Sequence, residues 1–159
     1  MRKTRYLGMI VLLCGSLSAS AQERQNDPFH REQATQTGEK VEHTIRTREP
    51  KWKLKESFDA GDGFHQDWKS GNQEIRVSIY VYDSPEEASN MLLKHARSSS
   101  VAGQEELSKF GDEAFVVSHH YFSWVLVRSG RTVAVVHGPP NLTVTKRFAQ
   151  YALMQIEGK

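Results

Sequence analysis

EIRVSIYVYDSPEEASNMLL, residues 74–93, is the stretch that decides the fold class, because its hydrophobic period changes within twenty residues. From Glu74 to Tyr82, every second residue is isoleucine or valine, which is the two-residue period of a strand. Ser84-Pro85-Glu86-Glu87 then supplies a helix cap, a proline suited to the first helical turn and a capping-box glutamate. The stretch predicts a strand that ends in a turn and is followed at once by an amphipathic helix.

Predicted strands lie on both sides of this stretch, and a second predicted helix follows it. A second amphipathic helix is predicted from Thr143 to Ile156, and residues 99–112 are predicted to be a polar connection. The simplest packing places both helices on one face of a five- or six-stranded, mainly antiparallel sheet. Residues 51–159 are therefore expected to form a single α+β domain. The further strands are predicted at residues 52–58, 64–68, 114–118, 123–128 and 132–137.

The first 21 residues predict a cleavable secretion signal. A basic start is followed by the apolar run Leu7–Leu17 and by the A-x-A site Ala19-Ser20-Ala21. A membrane anchor is the alternative, but the run is about half of the roughly 20 residues that span a bilayer. Lipidation at Cys14 is another alternative, although Leu13 is larger than the residue that normally precedes a lipidated cysteine. We expect an exported protein, periplasmic or extracellular.

Loss of the signal changes both the charge and the cysteine content. The whole chain has 21 Lys+Arg and 19 Asp+Glu, and removal of Arg2, Lys3 and Arg5 leaves 18 against 19, a net charge of −1. This balance argues against nucleic-acid binding, which favours a clustered basic face. The only cysteine leaves as well, so the predicted domain depends on its apolar core and not on disulfides.

Residues 22–50 are predicted to be a disordered polar linker. Gln, Glu, Arg, Thr and Lys dominate this stretch, and its apolar residues Phe29, Val41 and Ile45 are scattered. Such a composition does not bury enough apolar surface to offset the entropy lost on ordering. A helix across residues 39–47 is the alternative, and the pattern gives it little support.

Several short motifs in the second half resemble those of secreted bacterial sensor-type and lipoprotein domains, such as the extracellular domains of some receptor serine/threonine kinases. The motifs are Phe110–Phe115, Val125–Gly130 and Thr132–Val136, with the helix start Ser84–Ala88 upstream. The resemblance covers roughly residues 75–137, but the disulfides common in such domains are absent. It implies ligand sensing or protein contact outside the cytoplasm, and it carries over no catalytic residue.

Histidines are the candidate metal ligands of the sequence. His119 and His120 are adjacent, and His137 ends a strand that is expected to lie near them. Adjacent strand residues point to opposite faces, so only one of the pair could share a site with His137. No Glu-x-x-His or His-x-x-x-His spacing accompanies them, and strand-end polar residues are the favoured interpretation. We expect no metal site and no cofactor.

Catalytic and cation-binding motifs are absent from the sequence. There is no Gly-x-Ser-x-Gly elbow, and no cysteine nucleophile remains after processing. Gly61-Asp62-Gly63 lacks the spacing of a phosphate loop, and Asp59–Gly63 fails the EF-hand pattern, so a hairpin turn is expected there. Asn141-Leu142-Thr143 has the form of a glycosylation sequon but is also a helix cap. We therefore predict no catalytic residue.

The polar face of the predicted sheet carries the candidate binding residues. A solvated antiparallel face normally alternates to Ser, Thr, Lys and Glu, whereas this face presents aromatic residues flanked by arginines, the composition of interface hot spots. The alternative is that the N-terminal strands or the linker cover it as a second core layer. The candidate residues are Arg76, Tyr80, Tyr82, Trp124, Leu126 and Arg128, and Trp68 is a further candidate for the same face.

These observations predict a non-enzymatic exported domain that binds an unknown protein or small ligand, or a second copy of itself. The alternative is a small extracytoplasmic hydrolase or metal-binding protein, and a structural envelope component is a third class.

Overall fold

The fold was analysed on a computed structural model that describes residues 27–61, 63–98 and 104–159. The predicted signal peptide, including Cys14, and Asp62 of the predicted turn lie outside the described residues. No helix in the described ranges is long and apolar enough to cross a membrane. In chain order the elements are α1 (Pro28–Arg48), β1 (Lys53–Asp59), β2 (Phe64–Ser70), β3 (Gln73–Val81), α2 (Pro85–Ser98), β4 (Gln104–Glu106), β5 (Glu113–Ser118), β6 (Ser123–Ser129), β7 (Thr132–Gly138) and α3 (Leu142–Ile156).

The strands form one seven-stranded sheet in the order β1-β2-β3-β7-β6-β5-β4, and every neighbouring pair is antiparallel. The α+β class and the antiparallel sheet are confirmed. The strand count differs because β4 lies in the segment predicted to be a polar connection. This strand has only three residues, Gln104–Glu106, and its sequence has no apolar alternation to identify it. It pairs with β5 at the edge of the sheet.

The linker prediction for residues 22–50 is wrong over residues 28–48, which form helix α1. The Asp27 side chain accepts a hydrogen bond from the Phe29 backbone N–H at 2.9 Å, and Pro28 starts the helix. Hydropathy alone misses α1 because small or polar residues occupy part of its buried stripe. The buried residues are His30, Ala34, Gly38, Val41 and Ile45.

Close contact with β2 explains the glycine in the middle of α1. The Phe64 ring occupies the space where a Cβ on Gly38 would lie, so a larger residue would push the helix away from the sheet. The buried Gln66 side chain donates a hydrogen bond from Nε2 to the Gly38 carbonyl oxygen at 2.8 Å. α1 is therefore an integral layer of the domain.

The two predicted helices do not share a face, and this part of the prediction is wrong for α2. α1 and α3 cover one face, where Trp68, Val77 and Phe148 belong to the main core. α2 covers part of the opposite face through Ala88, Leu92 and Ala96. The physical reason is that β6 carries buried apolar side chains on both faces, so both need a covering layer.

Candidate functional site

The six residues that the sequence identifies lie on the face of the sheet that carries α2. Five occupy alternate positions of β3 and β6, which direct their side chains to one side, and Tyr82 follows β3. α2 divides this face into a covered part and an open part. The six residues are Arg76, Tyr80, Tyr82, Trp124, Leu126 and Arg128. Trp68, the further candidate, lies instead on the opposite face, fully buried in the main core.

Part of the predicted binding face is a second hydrophobic core beneath α2. Leu126 is fully buried and Tyr82 is 4% exposed, and both cluster with Leu92 of the helix. These side chains cannot meet a partner unless α2 moves. The layer that covers this part of the face is thus α2, and within the described residues neither the N-terminal strands nor residues 27–50 supply it.

Arg128 is also buried, where it joins α2 to the sheet. Its guanidinium donates to Asp112 Oδ2 at 3.1 Å, to the Gly130 carbonyl oxygen at 2.7 Å and to Glu113 Oε1 at 3.0 Å. Glu113 in turn accepts a hydrogen bond from the Ser89 hydroxyl of α2 at 2.9 Å. Asp112 also accepts a hydrogen bond from the Gly130 N–H at 2.7 Å and so caps the β6–β7 turn. Arg128 is therefore a structural residue.

Tyr80 lies at the border of the covered part. Its ring centroid is 5.7 Å from that of His65 and 5.8 Å from that of His95 on α2. Beside it, the Ser78 hydroxyl lies 2.9 Å from Nδ1 of His65, a pairing that resembles part of a nucleophilic site. Ser78 and His65 are only 4% and 7% exposed, so a substrate cannot reach this hydroxyl.

The open part of the face is built on one row of side chains across four strands. Asp67 of β2 pairs with Arg76 of β3, Arg76 with His137 of β7, and His137 with Trp124 of β6. Arg76 donates from Nε and Nη2 to the two Asp67 oxygens at 2.6 and 2.7 Å. This bidentate hydrogen bonding lowers the pKa of Asp67 and raises that of Arg76, so both stay charged.

His137 lies between Arg76 and Trp124 in this row, and its side chain is exposed to solvent. Its ring makes an edge contact with Trp124 at a centroid distance of 5.6 Å. Partial burial, and secondly the charge of Arg76, lower the pKa of His137 below its usual value. The imidazole is therefore neutral at neutral pH, and it can both donate and accept a hydrogen bond.

A groove of about 170 Å³ opens along this row. Ligand pockets usually measure roughly 300–1,000 Å³, so this groove has room for one side chain or a comparably small group. Its walls carry two basic and two acidic side chains, so their formal charges cancel. The lining residues are Lys55, Asp67, Trp68, Glu74, Ile75, Arg76 and His137.

An aromatic cluster, here called the aromatic corner, continues from the groove into the β5–β6 turn. The rings of His119 and Phe122 stack at 5.0 Å, and Phe122 lies 5.6 Å from His137. Tyr121 is 75% exposed at the tip of the turn. Tyr121 and Phe122 are not among the candidate binding residues predicted from the sequence, although the aromatic run His119-His120-Tyr121-Phe122 is visible there. The corner consists of His119, His120, Tyr121, Phe122, Trp124 and His137.

The histidines of the corner contact other rings. The His119 and His120 rings are 3.9 Å apart, and Phe122 contacts both His119 and His137. Among residues 27–61, 63–98 and 104–159, no three His, Cys, Asp or Glu side chains are grouped so that they could hold a metal ion.

No known family model matches the chain, and no curated protein matches it. The chain is similar in structure to a GTP-binding regulator from Thermotoga maritima, with 15% sequence identity and a TM-score of 0.51. The match covers 74% of this chain and 87% of that protein. At this identity the likeness shows a shared fold and nothing about ligands.

Proposed function

We propose that this chain is an exported, non-enzymatic interaction module that binds a protein partner through the aromatic corner and the adjoining groove. The observation that carries the proposal is the continuous row from Asp67 to Trp124, in which Arg76 and His137 are exposed and the end residues are half-buried, continued by the exposed ring of Tyr121. Export rests on the signal-like N-terminal residues.

The composition of this surface favours a protein partner. Tyrosine, tryptophan and arginine are enriched in interface hot spots, and a rigid aromatic side chain loses little entropy when it is buried. The bidentate pair of Arg76 and Asp67 holds both side chains in place before binding. A groove with room for one side chain suits an anchor residue of a partner better than it suits a cofactor.

Two other ligand classes fit this surface less well. Asp67 and Glu74 stand beside Lys55 and Arg76, so the surface is not the basic patch that nucleic acid requires. GTP, the ligand of the Thermotoga maritima regulator, also fits this surface poorly. The chain has no phosphate-loop sequence, and a shared fold does not carry a ligand.

Site-specific photo-cross-linking tests the proposal. A photoreactive phenylalanine analogue replaces Tyr121 in the full chain, which is expressed and exported in its own host and then irradiated. Thr47, exposed on α1, is the matched control position. We expect a covalent adduct of defined mass at position 121 and none at position 47, because only the corner docks the partner. Arg76→Gln and His137→Ala should each lower the adduct yield about tenfold, the effect of losing about 1.4 kcal/mol.

The result has several distinct outcomes. A defined adduct that both variants weaken supports the proposal, and an adduct of exactly two chain masses would identify the partner as a second copy. Equal yields at positions 121 and 47, or yields that neither variant changes in a folded protein, would overturn it. Native mass spectrometry of the same sample adds one more test. If a small molecule is found bound at a stoichiometry of one in the groove, the groove binds that ligand and the proposal of a protein partner is overturned.

A further inference from the structure

A second groove lies away from the aromatic corner, between α1, the β6–β7 turn and the end of α3. α1 contributes Gln33, Gln36, Thr37 and Lys40, whose spacing of i, i+3, i+4 and i+7 places them on one side of the helix. This polar stripe runs beside the buried stripe of α1. The groove has a volume of about 440 Å³, which is within the range of small-ligand pockets.

The opposite wall of this groove holds a positioned arginine. Arg131 donates from Nη2 to Gln33 Oε1 at 2.7 Å, and its guanidinium lies 5.6 Å from the centroid of the Phe29 ring. Both contacts restrain the side chain, yet neither supplies a negative charge. The bond to Gln33 occupies the amide oxygen and leaves the Gln33 amide nitrogen as a donor. Thr132 adds a hydroxyl group to the same wall.

The groove has more positive than available negative charge. Within the described part of the chain, neither Lys40 nor Arg131 has a carboxylate within ion-pair distance. Glu157 is the acidic residue of the lining, and its carboxylate is 2.6 Å from the ammonium of Lys159. Among the described arginines, Arg48 resembles Arg131, since it lies over the Tyr151 ring and has no carboxylate at ion-pair distance, whereas five others are paired. Arg31, Arg46, Arg76, Arg128 and Arg147 each contact a carboxylate.

We propose that this groove binds a small oxyanion, a molecule that presents carboxylate or phosphate oxygens to Lys40 and Arg131. The two cations supply charge-assisted hydrogen bonds, and the amide of Gln33 and the hydroxyls of Thr37 and Thr132 supply neutral ones. The site exists only because α1 packs on the sheet. The inference is independent of the proposed function, since it uses none of the residues of the aromatic corner.

Citrate and inorganic phosphate are suitable probes for this site. Each is titrated into the isotope-labelled full chain at low salt, with sodium chloride at matched ionic strength as the reference, and backbone amide shifts are recorded. We expect saturable shifts at Thr37, Lys40 and Thr132. Lys40→Gln and Arg131→Gln should each weaken binding about tenfold, because each loses one charge-assisted contact. Lys94→Gln, an exposed lysine on α2, is the control and should leave the affinity unchanged.

The inference is overturned if both anions give only the linear shifts that chloride gives. It is also overturned if Lys94→Gln weakens binding as much as the groove variants do, since that result means general attraction to positive charge. Saturation with phosphate alone would narrow the ligand to phosphate-bearing molecules, and saturation with citrate alone would narrow it to carboxylates. Each variant is first shown to have the thermal midpoint of the wild type, so that a lost contact is not confused with a lost fold.

Discussion

Replacing Ile45 with alanine should reduce the stability of the whole domain, because α1 belongs to the main core. Ile45 is fully buried and lies in the same cluster as Trp68 and Phe148. Three buried carbons are removed, which at about 0.8 kcal/mol each costs about 2.4 kcal/mol. The cavity left behind adds to this loss, so we expect about 3 kcal/mol, within the 2–5 kcal/mol range of comparable substitutions.

Urea unfolding followed by tryptophan fluorescence measures this loss. With a slope of about 2 kcal/mol/M, a loss of 3 kcal/mol lowers the midpoint by about 1.5 M. Ile45→Val gives a graded second point, expected to cost about 1 kcal/mol, in case the alanine variant does not fold. Thr47→Ala, on the exposed side of the same helix, should change stability by less than about 0.5 kcal/mol. If Ile45→Ala costs no more than Thr47→Ala, residues 28–48 do not pack on the sheet and the reasoning is refuted.

Two further predictions concern a pair of glycines and one histidine. Gly111 and Gly130 both have positive φ, so alanine costs about 1–2 kcal/mol at either position. At Gly111 the new Cβ would also lie 2.5 Å from the Arg128 carbonyl oxygen, whereas no atom lies near a Cβ at Gly130. Thermal unfolding should therefore show that Gly111→Ala loses about 1–3 kcal/mol more stability than Gly130→Ala does. Equal losses would contradict the packing at Gly111. Because the folded-state pKa of His137 is lowered, its protonation favours unfolding, and stability should fall as pH drops below about 6.5. Urea midpoints between pH 7.5 and 5 should fall less for His137→Gln than for wild type or for the exposed control His120→Gln, and parallel curves would show that His137 does not contribute.

The sequence predicts those elements whose local pattern carries the whole signal. β3 shows strict alternation, and α2 begins with its own capping residues, so both could be identified without tertiary information. α1 shows the opposite case. Its contact with the sheet depends on Gly38, which lets the Phe64 ring approach the helix backbone, and a glycine gives no signal in a hydropathy pattern. The contact also depends on the buried Gln66 side chain, which donates a hydrogen bond to the Gly38 carbonyl oxygen.

The position of α2 could not be predicted because it depends on which strands become central. β6 contains the continuous apolar run Val125-Leu126-Val127. This run indicates that both faces of the strand are buried, but it does not indicate which helix covers which face. Consequently, the sequence pattern groups Leu126 with Trp124 as a candidate binding residue, although Leu126 is fully buried and only Trp124 borders the open part. The aromatic corner could not be predicted without the register between β7 and β6, because that register places His137 opposite Trp124.

The pairing of β3 with β7 has a consequence for how the chain folds. These two central strands are adjacent in the sheet, yet the whole of α2 and β4–β6 lies between them in the sequence. The β1–β3 meander and the β5–β7 meander each close short loops, but joining them closes a much longer one, whose entropy must be lost before the central ladder forms. Proteins rich in such non-local pairs fold in milliseconds to seconds, well behind helical bundles of equal size. We expect the two meanders to form first, and docking of β3 on β7 to be the slow step that completes both cores at once.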